Sequence, residues 1–120
     1  MTSRKTYTCI ALDDDPLFLK TIEAYINEIP WLQLIAKFTN SVEGTVAITK
    51  EKPDLLILDY QMPYLDGLDV IDTLEKKPKV LVISGHLDEL SLPEVEADKI
   101  VSKARIRSFR DLESVIQEIL

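Results

Sequence analysis

The stretch at residues 54–67, DLLILDYQMPYLDG, constrains the fold of this chain more than any other. Four consecutive large apolar residues, Leu55, Leu56, Ile57 and Leu58, are too few for a buried helix and are followed by loop punctuation. Such a run reads as a central strand covered on both faces, the habit of a parallel sheet flanked by helices. Asp59 stands where the strand stops. Open parallel sheets bind ligands in the crevice beyond the carboxyl ends of their strands, so a carboxylate there is a candidate reactive group. The alternative is an acid that caps the next turn, and Asp59 alone does not decide between them.

The rest of the chain supplies partners for that strand. Residues 7–12 are rich in strand formers and end in Asp13-Asp14-Asp15-Pro16. An Asp directly before a Pro is a good helix N-cap: its carboxylate accepts an orphan amide proton while Pro16 takes the first helical position without losing a hydrogen bond. That gives Asp15 a structural job and leaves Asp13 and Asp14 without a capping role. Leu19, Ile22, Ile26 and Ile29 then recur at three- and four-residue spacing, one buried helix face that Pro30 stops. Residues 32–38 return to strand-like patterning, and Asn40-Ser41 offers an N-cap for a weaker helix to about residue 50, with Gly44 inside it and Val46 and Ala47 facing the core. Beyond the central strand, Leu68, Ile71 and Leu74 mark a short helix ended by Pro78. Residues 79–83 are a second continuous apolar strand, finishing at Ser84-Gly85-His86. Residues 87–97 are poorly patterned, and Pro93 suits only a helix start, so a short or mobile helix is expected. Residues 98–102 make a last strand ending at Lys103. Ser108-Phe109-Arg110-Asp111 resembles a capping box, opening a final helix with the face Leu112, Val115, Ile116 and Ile119.

Strand and helix thus alternate about five times, which calls for right-handed crossovers and helices on both faces of a parallel sheet. The expected fold is α/β: a flavodoxin-like three-layer sandwich on a five-stranded parallel sheet of order 2-1-3-4-5. One domain accounts for residues 1–120, with residues 1–6 and the chain end its least tethered parts. The longest apolar runs fall far short of the roughly 18 residues that span a bilayer, and no signal-peptide pattern opens the chain, so a soluble cytoplasmic protein with no membrane contact is expected. Cys9 is the sole cysteine, which excludes an intrachain disulfide and a cysteine-based zinc site and suits a reducing compartment. Inside the first strand it reads as a small core residue. A formal charge of −7 disfavours direct nucleic-acid binding, because a phosphate backbone rewards a basic face.

In the expected strand order the first and third strands meet at the switch point, and Asp13, Asp14 and Asp59 converge. Three carboxylates at one crevice repel, any two unit charges about 4 Å apart at an effective dielectric of about 20 by about 4 kcal/mol, and one lysine does not offset all three. Either some acids hold a proton or a divalent cation sits among them; hard oxygen ligands with room for water suit Mg²⁺, with Mn²⁺ as the alternative. The Ser84 hydroxyl and Lys103 ammonium add a hydrogen-bond donor and a point charge, as a phosphoryl group requires. A metal, an acidic nucleophile, a hydroxyl and a lysine make phosphoryl transfer to an aspartate the economical reading.

Residues 7–120 resemble a response-regulator receiver domain of two-component signalling. The resemblance rests on Leu12-Asp13-Asp14-Asp15, on Asp59 followed by Met62-Pro63 and Asp66-Gly67, on Ser84-Gly85, and on Lys103. It implies that Asp59 accepts a phosphoryl group from a phosphohistidine of a sensor histidine kinase or histidine phosphotransfer protein. The chain would then be a phosphoacceptor switch that promotes its own Mg²⁺-dependent phosphorylation and dephosphorylation, not an enzyme acting on an external substrate. The resemblance further implies that Asp14, Asp59 and the Gln61 backbone carbonyl ligate Mg²⁺, with Asp13 acting chiefly through water. Ser84 and Lys103 would hold phosphoryl oxygens, Gly85 would keep the entrance open, and Gln61 and His86 would tune the lifetime of the phosphate. Ser84 and Ile100 stand at the switch positions. Residues 87–97 with the last strand and helix would form the signalling surface toward a downstream effector, with a homodimer permitted there.

Two departures from the family pattern stand out. Ala104 follows the lysine where the family usually has Pro, and Ile100 replaces the switch aromatic. The competing plain readings are solvated loop acids for Asp13 and Asp14 and a surface lysine for Lys103, which their convergence with Asp59 and Ser84 disfavours; for His86 an exposed loop residue is the favoured reading. Two other functions compete. A small Mg²⁺-dependent phosphatase working through an aspartyl phosphate would need a substrate pocket for which the sandwich leaves little room, and no Asp-x-Asp-Gly-Thr pattern is present. A binding module that keeps the fold without phosphorylation would be favoured by Ile100 and Ala104.

Overall fold

In the computed structural model, which describes residues 5–59, 74–85 and 97–120, five strands form one parallel sheet. They are β1 (Tyr7–Leu12), β2 (Leu32–Phe38), β3 (Leu55–Leu58), β4 (Lys79–Ser84) and β5 (Lys99–Ser102), in the order β2-β1-β3-β4-β5. This is the expected flavodoxin-like arrangement. β3 is buried at every position and β4 everywhere but Lys79, as strands covered on both faces must be. Alternation along the strands feeds two cores. Cys9, Ala11, Leu55, Ile57, Leu81 and Ile83 pack on one face with α1 (Pro16–Asn27) and a helix at Phe109–Gln117. Ile10, Leu12, Leu56, Leu58, Val80 and Val82 pack on the other with the helix Ser41–Glu51, α2, so that Phe109–Gln117 is α3. Cys9 is a core residue, and burial pushes its thiol up to about 12, which keeps it protonated and inert at neutral pH. Residues 68–73 and 87–96 of the two other expected helices lie outside the described residues.

The Asp15 cap forms as its chemistry dictates: the carboxylate accepts the Leu17 N–H at 2.9 Å and Pro16 opens α1. The helix ends at Asn27, ahead of Pro30, yet Ile29 stays buried because its N–H donates to the Ile26 carbonyl at 2.9 Å and continues the turn. In α2 one expectation fails. Val46 does not face the core but is 64% exposed, and Ser41, Gly44 and Ile48 are the buried positions, with Ala47 partly buried beside them. The physical reason is Gly44. Its missing side chain lets the helix backbone approach Leu12 so closely that an added methyl would overlap the leucine Cδ2, and this approach turns Val46 toward solvent. At α3, Ser108 accepts the Asp111 N–H at 3.3 Å, but the Asp111 carboxylate accepts from Arg107, not from Ser108, so the capping box is displaced by one residue.

At the amino edge of the sheet Asp54 ties three segments together. Its carboxylate accepts from the Thr8 N–H at 2.8 Å and from Lys76 Nζ at 2.7 Å. Burial alone would raise its pKa, but the Lys76 hydrogen bond and charge, with the Thr8 donors, hold it below the usual value.

Candidate functional site

Register decides which side chains meet at the carboxyl edge. Leu12 pairs with both Phe38 and Leu58, so Asp13 and Asp59 follow at the adjoining ends of β1 and β3. The ladder runs on through them: the Asp13 N–H donates to the Phe38 carbonyl at 3.1 Å and the Asp59 N–H to the Leu12 carbonyl at 2.9 Å. Both acids are therefore pinned at their backbones and buried, at 3% and 5% exposure. With the exposed Asp14 they place one carboxylate oxygen each within 4.8 Å of one another.

Asp13 does more than its sequence context assigns. Its Oδ1 accepts the Asp15 N–H at 2.8 Å, a local turn ahead of the Asp15 cap, and its Oδ2 lies 2.9 Å from Lys103 Nζ. The same ammonium is 3.8 Å from Asp59 Oδ2 and 4.4 Å from the centroid of the Phe18 ring. At an effective dielectric of about 20, contacts of 2.9 and 3.8 Å correspond to about 5.7 and 4.4 kcal/mol of attraction, against about 3.5 kcal/mol of repulsion for two acids at 4.8 Å. Lys103 thus offsets the buried Asp13–Asp59 pair. Three carboxylates against one ammonium still leave two negative charges.

That donor set fits a hard divalent cation. Carboxylate oxygens suit Mg²⁺ or Mn²⁺ over soft metals, and two ligands of one Mg²⁺ lie at most about 4.2 Å apart, so the cluster needs only a small contraction. The two residual negative charges equal what such an ion brings.

Ser84 is fully buried at the end of β4. Since Leu58 pairs with Val82, Ser84 lies one residue past the level of Asp59, and across the sheet it pairs with Ser102, the residue before Lys103. Among the described residues, a methyl on Gly85 would meet Lys103 Cδ at 3.9 Å, an ordinary van der Waals contact, so the lysine stem passes beside the Gly85 backbone. Lys103–Arg105 form a single 3-10 turn in which Ser102 Oγ accepts the Ala104 N–H at 3.2 Å. A proline at 104 could not donate that bond, so the loop after the lysine is closed here by a side-chain cap. Ile100 pairs with Val82 and is partly buried in the α2-side core. Gln61 and His86 lie outside the described residues. Phe18 is missing from the sequence-derived set; its only signal is the four-residue spacing to Ile22, which reads equally well as core.

A family model described as the response regulator receiver domain matches residues 9–116. The transcriptional regulatory protein BtsR of Escherichia coli is 30% identical over 89 residues, covering 72% of this chain and 37% of BtsR. A response regulatory protein of Vibrio cholerae is 34% identical over 99 residues, 80% of this chain and 38% of that protein. The chain spans under two fifths of the length of these relatives. Among solved structures, the signal receiver domain of a NarL response regulator from Mycobacterium tuberculosis superposes with a TM-score of 0.79 at 18% identity, over 96% of both chains. A chain from the complex of the CheA3 P1 domain with CheY6 of R. sphaeroides gives 0.76 at 21% identity, over 97% of this chain and 98% of that one. By the matched family model, the relatives and the sheet order, the chain belongs to the response-regulator receiver domains of two-component signalling.

Proposed function

We propose that this domain is a phosphoacceptor switch in which Asp59 takes a phosphoryl group from a phosphohistidine of a sensor histidine kinase or histidine phosphotransfer protein. The observation that carries the reading is a buried carboxylate at a strand end with an ammonium 3.8 Å away and two further acids beside it. An Asp59 oxygen attacks phosphorus in line with the departing imidazole nitrogen. Lys103 follows the incoming charge by leaving Asp13 for a phosphoryl oxygen, and the Ser84 hydroxyl donates from the neighbouring strand end. Asp13, Asp14 and Asp59, with the Gln61 carbonyl, would hold Mg²⁺ or Mn²⁺, which when bound neutralises the acids and the phosphoryl oxygens. Side chains at 61 and 86 set the approach of water, and hence the lifetime of the phosphate and the switch's self-dephosphorylation.

Output then runs from Ser84 through β5 and Ile100 to the surface of residues 87–97, β5 and α3, where an effector or a second copy docks. Ile100 is aliphatic and packed into the core, so this relay works by strand and loop displacement, without a rotating ring. With a charge of −7 the domain itself makes no direct nucleic-acid contact. Among the described residues no helix is long and apolar enough to cross a membrane. The proposal takes residues 1–120 as one domain working in the cytoplasm. The test is incubation with acetyl phosphate and Mg²⁺, borohydride trapping and peptide mapping. Homoserine at position 59 supports the proposal; modification elsewhere, or none, overturns it.

A further inference from the structure

We infer that Phe18 is a positioning residue for phosphoryl transfer, its ring holding the Lys103 ammonium over Asp59 once Asp13 is engaged elsewhere; the inference rests on the phosphoacceptor reading of Asp59. Lys103 Nζ touches Asp13 Oδ2 at 2.9 Å, Asp59 Oδ2 at 3.8 Å and the face of the Phe18 ring at 4.4 Å. The two carboxylates change during the reaction. A cation held by the acids would engage Asp13, and transfer would remove the charge from the attacking Asp59 oxygen. Of these three contacts among the described residues, the ring face is the one that neither event alters. A lysine has a long flexible stem and a strongly hydrated head, so an ammonium released by Asp13 drifts into water unless another group keeps it in place. The negative face of an aromatic ring does this for a cation without competing for the phosphoryl oxygen.

The surroundings fix the ring where it is needed. Phe18 is the third residue of α1, whose start is set by the Asp15 cap and Pro16, and it packs against the buried core of that face. The void between Phe18 and Asp59 measures about 10 Å³, too small to admit the ring, so it cannot turn inward. On another side the stem passes Gly85, which itself brings no side chain against it. Phe18 is therefore the wall against which Lys103 is held.

The experiment compares the parent with Phe18→Leu, which keeps apolar bulk and removes the quadrupole, and with Phe18→Tyr, which keeps the aromatic face. The rate constant for phosphorylation at saturating acetyl phosphate and Mg²⁺ should fall about three- to tenfold in the Leu variant and stay within about twofold in the Tyr variant. Beryllofluoride affinity should weaken by a similar factor. Independently of phosphorylation, the Lys103 Cε protons should show an upfield ring-current shift by NMR in the metal-free parent and Tyr variant, lost in the Leu variant. A Leu variant as fast as the parent overturns the inference, as does a Tyr variant as slow as the Leu variant or an unshifted Lys103 signal in the parent. A parent that takes no phosphate overturns the phosphoacceptor reading and the inference with it; a phosphorylated parent with an equally fast Leu variant overturns the inference alone.

Discussion

Replacing Asp59 by Asn tests whether the three acids share one site without any phosphorylation chemistry. The substitution keeps shape and deletes one charge. At a dielectric of about 20 it removes at least about 3.5 kcal/mol of repulsion from the buried Asp13, within 4.8 Å, and about 1 kcal/mol from the solvent-screened Asp14. It also removes about 4.4 kcal/mol of attraction to Lys103 at 3.8 Å. These nearly cancel, so the sign is decided by desolvation: a carboxylate at 5% exposure carries a penalty of several kcal/mol, and a neutral amide carries much less. The metal-free Asn variant should therefore be more stable by about 1–3 kcal/mol, or about 4–12 °C in Tm for a chain of this size. Mg²⁺ acts in the opposite sense. At ten times its dissociation constant it adds about 1.4 kcal/mol to the parent by mass action and less to a variant short of one ligand, so the gap narrows or inverts. Thermal scans of both proteins, with chelator and with excess Mg²⁺, read this directly. A parent indifferent to Mg²⁺ and a variant no more stable than the parent would refute a shared site.

Asp54→Asn should cost about 1–2 kcal/mol at pH 7 by removing charge-assisted bonds to Thr8 and Lys76. Because the folded-state pKa of Asp54 is lowered, that advantage is complete above the unfolded value of about 3.9 and lost as pH falls through the folded one, so denaturant midpoints of the two proteins should converge in acid. Gly44→Ala should destabilise by about 1–2 kcal/mol despite the better helix propensity of alanine, since the methyl sits 2.8 Å from Leu12 Cγ; a variant more stable in urea would contradict the close approach. Small residues at Gln61 and His86 should change the decay rate of the phosphorylated domain, followed by loss of acid-labile phosphate, and superimposable decay curves would remove both positions from the mechanism.

The fold was legible because strong local signals agreed with one another: four buried apolar residues in β3, a proline-assisted cap at Asp15, and strand–helix alternation that leaves few topologies. Asp13, Asp14, Asp59 and Lys103 were legible as a set because a parallel sheet gathers strand ends at one edge. What escaped is what depends on distance. Nothing in the pattern of α2 says that Gly44 admits Leu12, so Val46 looked like a core residue. The pairing of Asp13 with Lys103 spans ninety positions and appears only once β1 and β5 share a sheet. Phe18 has the spacing of any core aromatic, and its contact with an ammonium is a tertiary fact.

The central claim, that Asp59 is a metal-dependent phosphoacceptor, is tested most directly by intact-mass analysis of the parent and Asp59→Asn after incubation with acetyl phosphate, with Mg²⁺ and with excess chelator. The account predicts a gain of one phosphoryl group in the parent with Mg²⁺ and none in the other three samples. An equal gain in the Asn variant, or full labelling in chelator, would contradict it.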